Sequence, residues 1–186
     1  MSKFEIALYA VGFGWLLAQG TEFIRSVFTN KSKKNSVVEE MYELKIILDE
    51  SSEIARTSAM KYGHDGHHAF ILPSKLTSPV FDAYYHEVAV SFSGWQRFNI
   101  RTFHSHLTQY NNAIDWLQKT DYEKRTTNAI IFKLFEVYKQ ASMSIAYLKG
   151  CEESGGREKL CSSHPIMMEL SERMSEESQS LHFRKS

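Results

Sequence analysis

Arg97, Arg101, His104 and His106 fall in one stretch whose apolar residues recur at helical spacing. Arginine presents a permanently charged planar fork that suits a phosphate, and histidine titrates near neutral pH. Together they are sufficient for metal-independent acid–base chemistry at a phosphodiester. Arg101-Thr-Phe-His-Ser-His106 is an Arg-x4-His, which makes Arg101 and His106 the candidate catalytic pair. Arg97, His104, Tyr110 and Asn111, on the same stretch, are candidate ligand-binding residues. Residues five apart on a helix point about 140° apart, so the pair are poor neighbours within one copy. A second cluster, His64, Asp65, His67 and His68, contains metal-ligand side chains, but its spacing matches no zinc site and reads as a solvated polar loop. Tyr84, Tyr85, Trp95, Tyr110 and Trp116 have faces on which bases stack, although aromatics at helical spacing belong more often to a core. No nucleophile elbow, phosphate-binding glycine loop, dinucleotide fingerprint or HExxH occurs. No metal or cofactor is expected.

Composition narrows the classes. The 186 residues carry 22 basic and 22 acidic side chains, for a net charge of zero. Affinity for a phosphate backbone normally shows as a basic excess, so generic duplex DNA binding is disfavoured, while a local pocket for a small anion stays open. The two cysteines, Cys151 and Cys161, do not make a secreted disulfide framework and read as free thiols.

Ile6 to Ala18 is an uncharged apolar run, and the pattern continues through Phe23, Ile24, Val27 and Phe28. A helix over residues 4–28 would be about 37 Å long, enough to cross a bilayer with its last turns among the head groups. Tyr9 and Trp15 suit an interface. Three readings compete: a signal-anchor helix, a signal peptide cleaved near Ala18-Gln19-Gly20, and a buried core helix. Lys3 stands alone before the run, whereas Arg25, Lys31, Lys33 and Lys34 follow it, which places the body in the cytoplasm. Gly12 and Gly14 leave a strip for close approach of another helix.

Residues 30–35 read as a basic linker, and Ser36 with Glu39 as a capping box opening a helix that ends near Lys61. Ser78-Pro79 starts a further helix, which should stop before Gly94. The next helix is expected from about Trp95 to Lys119, with Phe98, Phe103, Leu107, Tyr110, Ile114 and Leu117 on its apolar face. Thr120 with Glu123 reads as another capping box, whose helix carries Ile130, Leu134 and Tyr138 and closes at Gly150. No segment alternates as a strand. The expected architecture is all-α: an anchor helix over 1–29, the linker over 30–35, a bundle of about four helices over 36–150, and a flexible tail over 151–186 with a weak helix from Pro165.

The Arg-x4-His on a helix resembles the motif of the higher-eukaryote-and-prokaryote nucleotide-binding (HEPN) helical domains, many of which are metal-independent ribonucleases. That resemblance implies phosphate positioning by Arg101 and proton transfer by His106, with two motifs meeting across a dimer. Thr102 departs from the Asn, His or Asp that often follows the arginine there. The layout of membrane helix, basic linker and short helical body resembles the membrane accessory and effector proteins of type VI-B and type III CRISPR loci. What this implies is a homo-oligomer in the bacterial inner membrane with an antiviral role, partnered by the lipid bilayer and by an RNA or cyclic oligonucleotide. The leading expectation is therefore a membrane-anchored, self-associating helical effector. A membrane-tethered HEPN-like ribonuclease and a periplasmic helical binding protein are the alternatives.

Overall fold

The computed structural model describes residues 3–65, 70–122, 125–153 and 159–182. They form five α-helices, α1 (Lys3–Asp65), α2 (Pro79–Val88), α3 (Gly94–Lys119), α4 (Thr127–Glu153) and α5 (Pro165–His182), with a 3-10 turn at Ala89–Ser91. No strand occurs among the described residues, and the all-α expectation holds. The chain divides into two units, one of Met1–Glu39 with Pro79–Ser91, the other of Glu40–Ser78 with Phe92–Ser186.

Among the described residues no helix is long and apolar enough to cross a membrane, where the sequence reading expects a transmembrane helix. The physical reason lies in α1 itself. Gln19, Glu22 and Arg25 interrupt its apolar residues, and Lys31, Lys33 and Lys34 follow within two turns. The expected linker is helical too. Nothing between Asn30 and Asn35 breaks a helix, and Ser36 does not cap one: its hydroxyl donates to the Ser32 carbonyl one turn back, at 3.2 Å. Thr21 and Thr29 bond back in the same way, at 2.8 Å each.

In the first unit the basic residues of that stretch seat α2. Lys33 pairs with Glu87 and lies 5.2 Å from the Tyr84 ring centre, while Lys34 donates to the Ser91 carbonyl at 2.8 Å. The pairing holds the Glu87 carboxyl below its ordinary range. Proline at the first position of α2 lacks only an N–H that has no helical partner there, so Pro79 starts the helix as its sequence anticipates.

The second unit is built on α3 and α4. Phe103, Leu107, Tyr110, Ile114 and Leu117 form the buried stripe of α3, against Ile130, Leu134, Val137, Ala141 and Ala146 from α4. Met41, Leu44, Leu48, Ala55 and Ala59 add the buried residues of α1 in this unit. Ser93 caps α3 in a reciprocal pair, accepting from the Gln96 amide at 3.1 Å while Gln96 Oε1 accepts from the Ser93 amide at 2.9 Å. Thr120 closes α3 rather than opening the next helix, its hydroxyl bonded to the Trp116 carbonyl at 2.6 Å. Thr126 instead sits at the head of α4, and Glu123 lies outside the described residues. Lys45 binds both oxygens of Glu152 at 2.8 Å, tying α1 to α4 within this unit.

Two expectations for the C-terminal part change. Helix α4 passes through Gly150 to Glu153, and the predicted weak helix is an 18-residue α5 packed on α4, with Leu170 and Met174 buried one turn apart. Gly150 is needed for space: a Cβ there would fall 1.6 Å from Leu160 Cδ1. Alanine in a helix interior normally stabilises by about 1 kcal/mol over glycine, but overpacking costs about 1–3 kcal/mol. Gly150→Ala is therefore expected to lower the melting temperature, and Leu160→Ala in the same chain to reverse part of that loss; calorimetry on the two variants checks both.

Candidate functional site

All six residues singled out for chemistry lie on α3, and each meets different surroundings. Arg101 is exposed and makes no hydrogen bond or ion pair with any described residue. His106 is half-buried. Its Nδ1 lies 2.7 Å from Gln140 Oε1, an acceptor for Nδ1–H, and its ring stacks on Tyr147 at 5.5 Å between centres. Arg97 donates to the Phe92 carbonyl at 3.3 Å. His104 is half-buried beside Phe103, and burial pushes its imidazole down to about 4.

Tyr110 and Asn111 hold the extended segment that follows residue 70. The Tyr110 hydroxyl donates to the Ser74 carbonyl at 2.9 Å. The Asn111 amide forms a two-way clamp on Leu76, Nδ2 donating to its carbonyl at 2.7 Å and Oδ1 accepting from its N–H at 2.9 Å. Ser58 donates to the Ile71 carbonyl and Lys75 pairs with Asp115 along the same segment. Backbone amides that belong to no helix need partners, and these side chains supply them. The structure thus brings His106, Gln140 and Tyr147 together, and separately Tyr110 and Asn111 with the segment.

His67 and His68 lie outside the described residues, and so do the side chains of His64 and Asp65. Among the described residues no group of three or more His, Cys, Asp or Glu side chains is placed to hold a metal ion. Cys151 and Cys161 are free thiols. Burial pushes the Cys151 thiol up, while Ser163 beside Cys161 holds that thiol below its usual value.

A polar concavity lies elsewhere in the second unit. It is a groove of about 520 Å³ between residues 49–56 of α1, 138–149 of α4 and 166–177 of α5. Arg56 is held there by both Glu53 oxygens, Nη2 at 2.7 Å and Nε at 2.9 Å, with Nη1 3.8 Å from Glu177. The hydrogen bond to Arg56 holds the Glu53 carboxyl below its ordinary range. Burial, reinforced by a hydrogen bond to Glu177, pushes Tyr138 up to about 12. Sequence reading missed this site because its residues come from three segments separated by 82 and 17 positions (56 to 138, 149 to 166), with no motif in any of them. Helical phase alone carries the signal: Ser52 and Arg56 on α1, and Glu169 and Arg173 on α5, are each one turn apart.

Comparison with known protein families, curated proteins and solved structures gives no match.

Two measurements follow from this geometry. The His104 imidazole is neutral in the fold and titrates near 6.5 once unfolded, so the unfolded chain binds more protons below that pH. Stability should be full above pH 6.5 and fall between there and about pH 4, by up to about 3 kcal/mol, a slope that urea titrations of His104→Gln should lack. His106→Ala should cost about 1–3 kcal/mol, since Gln140 loses its donor in a buried place. Arg101→Ala should stay within about 0.5 kcal/mol of the parent in the same titrations.

Proposed function

We propose that this chain is a membrane-associated, self-associating helical effector or accessory protein, and that residues 15–28 of α1 are its attachment surface. One observation carries the reading: Trp15, Leu17, Phe23, Ile24, Val27 and Phe28 are all more than half exposed, from 51% to 72%. On an α-helix Phe23, Val27, Ile24, Leu17 and Phe28 share an arc about 140° wide, while Gln19, Glu22, Arg25 and Ser26 take the other side. Large side chains gain about 1.5–3 kcal/mol each on leaving water, so five along one arc make a strong drive toward an apolar medium. An amphipathic helix of this kind lies in the bilayer interface and does not need the uninterrupted length of a spanning one.

Arg25, flanking the arc, and Lys31, just past its last apolar residue, favour an anionic leaflet, consistent with the cytoplasmic face of a bacterial inner membrane. The role proposed is antiviral defence, that of the CRISPR accessory and effector proteins whose layout the chain resembles. The ribonuclease alternative has less support, because no contact links Arg101 to His106 within one copy and His106 Nδ1 is engaged by Gln140.

The full chain is expected to float with vesicles of phosphatidylethanolamine and phosphatidylglycerol in a density gradient. The double variant Ile24→Glu, Phe28→Glu should stay at the bottom with unchanged helical circular dichroism. Parent protein that remains at the bottom, or a double variant that floats equally well, would overturn the proposal.

A further inference from the structure

The groove between α1, α4 and α5 holds two kinds of charge. Arg56 binds both Glu53 oxygens and lies 3.8 Å from Glu177 Oε1, while Glu177 Oε2 is buried without a hydrogen-bond partner among the described residues. Asp49, Lys149, Glu169 and Arg173 also line it, and none of these four side chains is hydrogen-bonded or ion-paired to a described residue. Two are anions and two are cations, and they come from all three helices. Between them Ile145 and Leu170 are buried and Ile166 is half-buried, which gives the groove an apolar floor under a charged rim.

We propose that this groove binds a small zwitterion with an apolar side chain, an α-amino acid or short peptide. Its carboxylate would meet Lys149 and Arg173, its ammonium Asp49 and Glu169, and its side chain the floor. A volume of about 520 Å³ is within the usual range for small-molecule sites, roughly 300–1,000 Å³. A polyanion such as a cyclic oligonucleotide would have to sit against Asp49 and Glu169, and like charges brought together across an interface select against that partner. A simple cation meets the reverse problem at Lys149 and Arg173. A ligand carrying both signs satisfies the rim without leaving either pair unanswered. Arg56 acts as a positioning residue, holding Glu53 and Glu177 away from the ligand.

The experiment uses the full chain, thermal unfolding and titration calorimetry. The probes are leucine, isoleucine, methionine, phenylalanine and leucyl-leucine at millimolar concentration. Controls are 4-methylpentanoate, which lacks the ammonium of leucine, 3-methylbutylamine, which lacks its carboxylate, and ATP as a polyanion. At least one zwitterion is expected to raise the melting temperature and give a binding isotherm, with both truncated analogues and ATP weaker. Arg173→Gln and Asp49→Asn, both at exposed positions, should each weaken that binding about tenfold or more while the free protein melts as before. No response to any zwitterion, equal binding of ATP or a truncated analogue, or undiminished affinity in both variants would each overturn the proposal.

Discussion

The seam between α3 and α4 is the interaction on which the second unit depends. Phe103, Tyr110, Ile114 and Leu117 have essentially no exposed surface, and neither do Ile130, Leu134, Val137 and Ala141 opposite. Apolar burial on this scale is the dominant favourable term in folding, and here it comes from two long helices joined by a short connection. Polar groups within the seam are few. Ser144 reaches the Phe103 carbonyl at 3.4 Å, whereas the buried Asn99 amide, near Cys151, has no hydrogen-bond partner among the described residues for either polar atom. Once α3 is placed, the hydrogen bonds of Tyr110 and Asn111 define where the extended segment near Ser74 and Leu76 must run.

The same seam explains why the polar groove exists. Helix α4 presents Tyr138, Ser142 and Lys149 on a face turned toward α5 and the middle of α1 in this unit. Leu170 and Met174 bury α5 by its apolar edge, which brings Glu169, Arg173 and Glu177 along as the adjacent rim. Leu160, set against Gly150, anchors the chain just before α5 begins. The groove is thus a by-product of apolar packing that leaves charged edges facing one another. The one close ion pair along it among the described residues, Arg56 with Glu53, is partly exposed, and such pairs contribute little stability.

The first unit shows a different balance. Its α1 stretch exposes Trp15, Leu17, Phe23, Ile24, Val27 and Phe28 to solvent. A helix that leaves so much apolar surface in water calls for another medium or another copy. Lys33 and Lys34 are engaged with Glu87 and Ser91 in seating α2, so part of the basic cluster that reads as a membrane-facing charge serves internal contacts.

Sequence alone determined the class and most of the helices. The absence of alternation, the scarcity of proline, the Ser78-Pro79 start and the stripe from Phe103 to Leu117 all depend on local periodicity, which is written in neighbouring residues. Where capping was read from a short pattern it went astray. Ser36 and Thr120 have the right side chains, but a hydroxyl can equally donate to a carbonyl one turn back, and local sequence does not choose between the two. Gly150 looked like a helix terminator, and only the arrival of Leu160 from a later segment showed that it provides clearance. The partners of His106, Tyr110 and Asn111 lie about 34 to 36 positions away along the chain. The groove likewise gathers residues from three helices. Those pairings were decided by tertiary packing, because contacts across such separations depend on how helices dock and leave no spacing in the sequence to read.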